Sequence, residues 1–223
     1  AGDGVAPARR LAASRAPRPK RGAGRAESLG RRRGRSRRSR SAARPRWAEP
    51  VPSGPVELPD LPVVEAIPAV RTALAERRRA VLVAPPGAGK TTLIPLALLG
   101  EPWLDGQRIV MLEPRRLATR AAARRMADTT RTEVGGLVGF QTRDERHIGA
   151  TTRIEVVTEG VLTRRLQSDP ELPGVGLVIF DEVHERNLTT DLGLALALDV
   201  ASTIRPDLRL LAMSATPDVE GLT

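Results

Sequence analysis

A short apolar run leads into a segment of prolines and glycines that ends in one lysine and two threonines. The apolar run covers residues 80–83, and the segment after it is Ala84-Pro85-Pro86-Gly87-Ala88-Gly89-Lys90-Thr91-Thr92. Glycines at this spacing let successive backbone N–H groups turn inward on an anion, and the positive end of a following helix adds to the attraction. The pattern therefore predicts a strand, a phosphate-binding loop and a helix in succession.

The side chains at the end of this loop suit a triphosphate with a bound metal ion. Lys90 can reach the outer phosphates, and the hydroxyl of Thr91 can bind Mg²⁺. Lys90 is also the only lysine after Lys20, and every other cationic side chain beyond that point is arginine. We therefore expect the loop residues to bind ATP, with Thr91 contributing to a magnesium site.

The positive charge of the chain is concentrated at its beginning. The first 50 of the 223 residues include sixteen Lys or Arg and three Asp or Glu, whereas residues 51–223 include twenty and twenty-three. The net charge of +10 thus belongs to a segment of Arg, Ala, Gly, Pro and Ser that lacks the apolar residues needed to fold. We expect residues 1–55 to be a disordered tail, either solvated without a dedicated role or bound non-specifically to RNA phosphates.

Composition excludes several classes of function for the remainder, residues 56–223. The chain has no cysteine and only two histidines, so disulfides and histidine-based metal sites are not expected. No apolar run approaches the roughly 20 residues that span a bilayer, and the basic beginning lacks the apolar core of a secretory signal. We expect one soluble, cytoplasmic domain of ordinary size with no membrane partner.

Strand-like and helix-like segments alternate after the tail. Strands are predicted at 80–83, 108–112, 137–143, 153–158, 177–180 and 208–213, and helices at 68–79, 91–99, 114–127, 159–167 and 187–204. Such alternation predicts an α/β fold in which helices cover both faces of a mostly parallel sheet. Functional side chains are then expected at the carboxyl ends of the strands.

Two acidic residues follow the predicted strand 177–180, in the segment Asp181-Glu182-Val183-His184. Asp181 can hold Mg²⁺ through its water shell, and Glu182 can orient and deprotonate the water that attacks the γ-phosphate. His184 can link the nucleotide to a moving part of the protein. A solvated acidic turn is the alternative for an isolated Asp-Glu pair, but the position after a phosphate loop and a buried strand favours catalysis.

A tripeptide with two hydroxyl groups, Ser214-Ala215-Thr216, ends the predicted strand 208–213. The hydroxyls of Ser214 and Thr216 are expected to bond to segment 181–184 and so to couple it to nucleotide state. Taken alone, the tripeptide is more commonly a helix N-cap. The order and spacing of the three motifs carry the interpretation.

Residues 60–223 resemble a superfamily 2 helicase of the DEAH-box class. The matching stretches are Gly87-Ala88-Gly89-Lys90-Thr91, Glu113-Pro114-Arg115-Arg116-Leu117-Ala118, Thr158-Glu159-Gly160, Asp181-Glu182-Val183-His184-Glu185-Arg186 and Ser214-Ala215-Thr216. The resemblance implies a RecA-like P-loop NTPase lobe that uses ATP and Mg²⁺. Val183 stands where the family name has Ala, and both side chains are small and apolar.

The resemblance also implies residues that contact nucleic acid and the base of ATP. It implies that single-stranded nucleic acid, RNA rather than DNA, is bound by residues that follow the predicted strands: Arg115, Arg116, Arg143, Thr158, Glu159 and Gly160. Arg125 matches a position that stacks on adenine. For Arg120 and Arg124 we favour surface ion pairs.

Members of this class have a second RecA-like lobe that carries an arginine finger. No Gln-x-x-Gly-Arg-x-Gly-Arg motif occurs here, and the sequence stops at Thr223. We therefore expect the first lobe of an ATP-dependent RNA helicase, a fragment that is weakly active alone. Two alternatives stay open: a P-loop ATPase outside the helicases, such as a motor or transporter subunit, and a non-catalytic RNA-binding module.

Overall fold

The computed structural model of the chain describes residues 59–216. The expected tail, residues 1–55, lies outside this range, so the tail and the domain limits stay predictions. The described part contains seven strands, which are β1 (Arg79–Val83), β2 (Arg108–Leu112), β3 (Val138–Gln141), β4 (Arg146–His147), β5 (Ile154–Val157), β6 (Val175–Phe180) and β7 (Arg209–Ser214).

Five α-helices and three short 3-10 turns accompany these strands within the described residues. The helices are α1 (Ile67–Arg77), α2 (Lys90–Leu98), α3 (Arg116–Thr129), α4 (Glu159–Ser168) and α5 (Leu188–Thr203). The 3-10 turns cover Pro62–Ala66, Pro102–Leu104 and Val183–Glu185. In this part of the chain, every helix is too short or too polar to cross a membrane.

The strands form one sheet in the spatial order β1-β7-β6-β2-β5-β3-β4. All neighbouring strands are parallel except the β3–β4 pair, which is antiparallel. The α/β fold with a mostly parallel sheet, predicted from the alternating pattern, is confirmed. Because β1, β7 and β6 are parallel neighbours, their carboxyl ends lie at the same edge of the sheet.

The core lies on both faces of the sheet, as the all-apolar strands require. Along β6, Leu177 and Ile179 pack with residues of α1, α2 and α3. The alternate residues, Val178 and Phe180, pack with residues of α4 and α5 on the opposite face. Every residue of β6 is buried. The strand that ends at the acidic motif is therefore fixed from both sides.

The limits of the elements follow local hydrogen bonding. β2 has the predicted limits, whereas β3 ends at Gln141 instead of residue 143. Thr142 begins a turn there, since its backbone N–H donates to Glu145 O at 2.8 Å and its Oγ1 accepts the N–H of Glu145 at 3.2 Å. The short strand β4 after this turn was not predicted, because two residues carry no periodic signal.

Glu155 places a carboxylate inside the buried strand β5. It accepts hydrogen bonds from Arg108 Nη1 at 2.6 Å and from Arg165 Nη1 at 2.7 Å. Arg165 also donates to Gln141 Oε1 at 2.7 Å. A buried charge is tolerated where such partners replace water. The triad of Arg108, Glu155 and Arg165 connects β2, β5 and α4, and Gln141 adds β3 through Arg165.

Replacing Glu155 by leucine is expected to lower the free energy of unfolding by about 3 kcal/mol. This value is at the low end for a broken buried ion pair, because both guanidinium groups keep part of their hydration. Urea denaturation measures the change. Glu76→Gln, at an exposed position of α1, is the control and should change the free energy by less than about 0.5 kcal/mol. Equal effects of the two variants would contradict the structural role of the triad.

Candidate active site

The predicted phosphate-binding loop connects β1 to α2. Gly87 and Gly89 adopt φ values of +77° and +95°, in the left-handed region that glycine favours. A Cβ atom on Gly89 would lie 2.8 Å from Leu61 Cδ1, so this position is also closed to larger residues. The backbone N–H of Val63 donates to Ala88 O at 3.1 Å. The segment before α1 therefore packs against the loop and fixes one side of it.

Lys90 lies at the first position of α2 and is 4% exposed. Its Nζ donates to the carbonyl oxygens of the same loop, to Ala84 O at 2.6 Å and to Pro85 O at 3.2 Å. The ammonium group is thus held beside the loop by neutral acceptors. A phosphate oxygen is a stronger, charged acceptor and can replace them.

Thr91 and Asp181, ninety residues apart in sequence, are joined by a hydrogen bond. Thr91 Oγ1 donates to Asp181 Oδ2 at 2.6 Å, and the other carboxylate oxygen accepts the N–H of Glu182 at 3.0 Å. Burial raises the pKa of Asp181 to about 6, although the hydrogen bond from Thr91 lowers it. The structure therefore brings together the two residues predicted to hold magnesium.

A hydroxyl and a carboxylate are oxygen ligands of the kind that Mg²⁺ prefers. Between residues 59 and 216, no group of three or more His, Cys, Asp or Glu side chains forms a cage for a metal ion. The pair fits a cation that keeps several waters and takes its other ligands from the phosphates of a nucleotide.

Glu182 follows Asp181 in a left-handed conformation, with φ at +53°. Its Oε2 lies 3.2 Å from His184 Nδ1, but this nitrogen accepts the backbone N–H of Ala215 at 3.3 Å. Among the described residues, Glu182 Oε2 is buried and takes part in no hydrogen bond of good geometry, and a carboxylate oxygen in this position can accept a proton from water.

The contact between the acidic motif and the end of β7 is made by other atoms than expected. Ser214 Oγ donates to Thr216 O at 2.8 Å and accepts the N–H of Thr216 at 3.2 Å. The hydroxyl of Ser214 thus bonds within its own segment, and the backbone N–H of Ala215 reaches His184 instead. The prediction of hydroxyl contacts to segment 181–184 is corrected, because a strand end presents its N–H groups to the neighbouring turn.

A cavity of about 380 Å³ opens beside these residues. Its lining includes residues of the phosphate loop and the start of α2, which are Gly87, Gly89, Lys90, Thr91 and Thr92. Other segments contribute Glu113, Arg115, Arg125 and Glu182. Arg125 reaches this cavity from α3, so the arginine expected to contact adenine faces the same space as the phosphate loop. Leu61 also lines the cavity, a contribution that no sequence motif indicated.

Glu113 is a further acidic side chain of the cavity, beside Glu182, and the sequence pattern assigned it no role. It directly follows β2, is 4% exposed and lines the cavity. Burial, and secondarily the charge of Asp181, raise the pKa of Glu113 from 4.5 to about 7. Its position after a buried strand is the same signal that singled out Asp181 and was available in the sequence.

The residues expected to contact nucleic acid lie after β2, β3 and β5 on the same edge of the sheet. Arg115 and Arg116 are exposed at the start of α3, and Arg143 is exposed in the turn between β3 and β4. Thr158 precedes α4 and is largely buried, at 9% exposure. Glu159 accepts a hydrogen bond from Thr190 Oγ1 at 2.9 Å and is thereby engaged within the fold.

Arginines of α3 form ion pairs with acidic residues of two neighbouring turns. Arg115 pairs with Glu185, and Arg116 Nη1 lies 2.7 Å from Asp144 Oδ2. Arg120 Nη2 lies 2.9 Å from Glu145 Oε1. The surface ion pair predicted for Arg120 is confirmed. Gly160, at the start of α4, has open space where a side chain would be.

Replacing Glu113 by glutamine should change how stability depends on pH. A carboxyl group whose pKa is raised to about 7 on folding stabilises the native state below pH 4.5 and loses this contribution as the pH rises through 7. The free energy of unfolding of Glu113→Gln, relative to the natural chain, should therefore rise by about 2–3 kcal/mol between pH 5 and pH 8.

Urea denaturation at both pH values, without nucleotide or Mg²⁺, measures this difference. Glu133→Gln, at an exposed position, should show the same difference from the natural chain at both pH values. A difference for Glu113→Gln that does not change with pH would show that this carboxyl group titrates normally.

Comparison with known proteins points to one family. The family model described as "DEAD/DEAH box helicase" matches residues 65–222. The chain is 53% identical over 162 residues to the ATP-dependent RNA helicase HrpB of Escherichia coli (strain K12), a match that covers 73% of this chain and 20% of the relative. It is 35% identical over 167 residues to an ATP-dependent RNA helicase HrpA homolog of Haemophilus influenzae, covering 74% of this chain and 13% of that protein.

Solved structures agree with the sequence relatives. A crystal structure of the Escherichia coli DEAH/RHA helicase HrpB has a TM-score of 0.70 and 52% identity, covering 73% of this chain and 21% of that chain. The chain thus spans about a fifth of the length of the HrpB proteins that it matches. The family model matches most of this chain, and the acidic motif lies beside the phosphate loop. This chain therefore belongs to the DEAD/DEAH box helicase family.

Proposed function

We propose that this chain is the ATP-binding lobe of an ATP-dependent RNA helicase, in which ATP hydrolysis drives movement along single-stranded RNA and its unwinding. The observation that carries the proposal is the 2.6 Å hydrogen bond between Thr91 Oγ1 and Asp181 Oδ2. It joins the phosphate loop to the acidic motif at the mouth of a cavity large enough for part of a nucleotide. A non-catalytic RNA-binding module would not need this pairing.

The phosphate loop and the acidic motif have separate roles in the proposed reaction. The backbone N–H groups of loop 84–89 surround the triphosphate, and Lys90 binds its outer oxygens. Thr91 and Asp181 hold Mg²⁺, which neutralises charge on the phosphates when it is bound. Glu182, which lines the cavity, accepts the proton of the attacking water.

The exposed arginines after β2 and β3 are proposed to bind the RNA backbone. Arg115 and Arg116 present guanidinium groups whose paired N–H donors match phosphate oxygens. Arg143 and the start of α4, from Thr158 to Gly160, are proposed to contact the same strand. These residues follow parallel strands, so they lie along the edge of the sheet that also holds the nucleotide site.

The complete helicase cycle is proposed for a longer protein that contains this lobe. The HrpB relatives are about five times as long as the matched region. We propose a second RecA-like lobe whose arginine finger completes the site, an interaction worth on the order of 10³–10⁵ in rate in related NTPases. This chain alone should therefore bind nucleotide weakly and hydrolyse it poorly. We also propose the cytoplasm as its location, because RNA and ATP are both available there.

Replacing Lys90 by alanine tests the nucleotide site separately from RNA binding. Loss of a charged hydrogen-bond donor to the phosphates should weaken binding of a fluorescent ATP analogue with Mg²⁺ by about 10- to 100-fold. Binding of a single-stranded RNA oligonucleotide, measured by fluorescence anisotropy, should stay unchanged. Arg116→Ala should weaken RNA binding and leave binding of the ATP analogue unchanged. It should also lower the magnitude of the slope of log RNA affinity against log salt concentration by about 0.7. Unchanged ATP binding by Lys90→Ala would refute the proposed site.

Replacing Arg125 by alanine tests the adenine contact. A guanidinium that stacks on the base should contribute about three- to tenfold to ATP affinity and nothing to the affinity of inorganic triphosphate. Arg124→Ala is the matched control, because Arg124 is the preceding exposed arginine of α3 and should leave both affinities unchanged. Equal losses for ATP and triphosphate would place Arg125 on the phosphates instead.

A further inference from the structure

The two arginines proposed to bind RNA are both occupied by carboxylates. Arg115 pairs with Glu185, and Arg116 pairs with Asp144 at 2.7 Å. Carboxylates and phosphates accept the same paired N–H donors of a guanidinium. An RNA phosphate that takes the same N–H donors of either arginine therefore competes with an acidic side chain of this protein.

The two competing acids belong to different parts of the structure. Asp144 lies in the turn between β3 and β4, and β4 is the last strand in the sheet order. Glu185 ends the 3-10 turn Val183–Glu185, which directly follows Asp181 and Glu182. Its backbone N–H donates to Glu182 O at 3.0 Å. Release of Glu185, unlike release of Asp144, acts on the backbone of the acidic motif.

This turn, which we call the acidic-motif turn and define as residues 182–186, is conformationally strained at both ends. Glu182 and Arg186 have φ values of +53° and +50°, which are unfavourable for residues other than glycine. Such a conformation is unfavourable for these residues and persists only where neighbouring contacts hold it. The ion pair from Glu185 to Arg115 is one such contact.

A second contact holds the turn from the other side. His184 accepts the N–H of Ala215 at the end of β7, and Glu182 extends from the same turn into the nucleotide cavity. One short turn is thus tied to the RNA-binding arginine, to β7 and to the nucleotide site. The three contacts lie within four consecutive residues of backbone, 182–185.

We propose that Glu185 is a positioning residue that couples RNA binding to the nucleotide site. Without RNA, Glu185 holds Arg115 and keeps the acidic-motif turn in its strained form. An RNA phosphate that binds Arg115 frees Glu185, and the turn relaxes and moves Glu182 within the cavity. The inference rests on the proposed function, since it requires RNA at Arg115 and a nucleotide beside Glu182.

Coupling of this kind is reciprocal, so it can be measured by binding alone. If RNA changes the affinity for a nucleotide by some factor, the nucleotide changes the affinity for RNA by the same factor. We define the coupling factor as the ratio of RNA affinities with and without a saturating, non-hydrolysable ATP analogue and Mg²⁺. For the natural chain we expect a coupling factor that differs from one by at least about fivefold.

Glu185→Gln and Asp144→Asn form a matched pair of variants. Each removes one negative charge beside an arginine proposed to bind RNA. Neither Glu185 nor Asp144 itself lines the cavity, although Arg115, the partner of Glu185, does. Both variants should tighten binding of a labelled twelve-uridine RNA, without nucleotide, by about two- to fivefold, the value of an exposed ion pair. Only Glu185→Gln should bring the coupling factor to within twofold of one. Glu185→Asp, which keeps the charge, should restore part of it.

The outcomes separate the inference from the proposed function. The role of Glu185 would be overturned if Glu185→Gln kept the coupling factor of the natural chain. It would also be overturned if Asp144→Asn lost the coupling to the same extent as Glu185→Gln. A natural chain that binds both ligands with no coupling between them would overturn it as well. A natural chain whose RNA binding does not change on replacement of Arg115 or Arg116 would instead refute the proposed RNA site.

Discussion

The hydrogen bond between Thr91 and Asp181 is the interaction on which the candidate site depends. It exists because β1, β7 and β6 are parallel neighbours, with Val83 opposite Ser214 and Phe180 opposite Ala212. This pairing brings the residue that follows each strand to the same edge of the sheet. The loop after β1 and the acid after β6 can then share one metal ion, although β7 separates their strands.

The sequence predicted those features of the fold that depend on local pattern. The alternating pattern indicated β2 at its observed limits. The glycine-containing loop indicated Lys90, and the position after a buried strand indicated Asp181 and Glu182. Pairings between distant residues were not predictable, because they depend on strand register and on side-chain rotamers. The contact of Ala215 N–H with His184 is of this kind, as is the pairing of Arg115 with Glu185.

The acidic residues of the cavity reduce the stability of the free protein. Burial raises the pKa of both Glu113 and Asp181, and the charge of Asp181 raises the pKa of Glu113 further. A cation bound between the phosphates and Asp181 would relieve this repulsion. The metal-dependent reaction proposed above accounts for keeping these unfavourable charges in the buried part of the site.

The packing of Leu61 and Val63 against the loop has a practical consequence for shortened forms of this chain. Leu61 forms part of the wall of the cavity, and Val63 is bonded to Ala88, yet both precede residue 65, where the helicase family match begins. A truncation made at that match boundary would remove this wall and expose Gly89. A minimal fragment for crystallisation or ligand screening should therefore start upstream of Leu61.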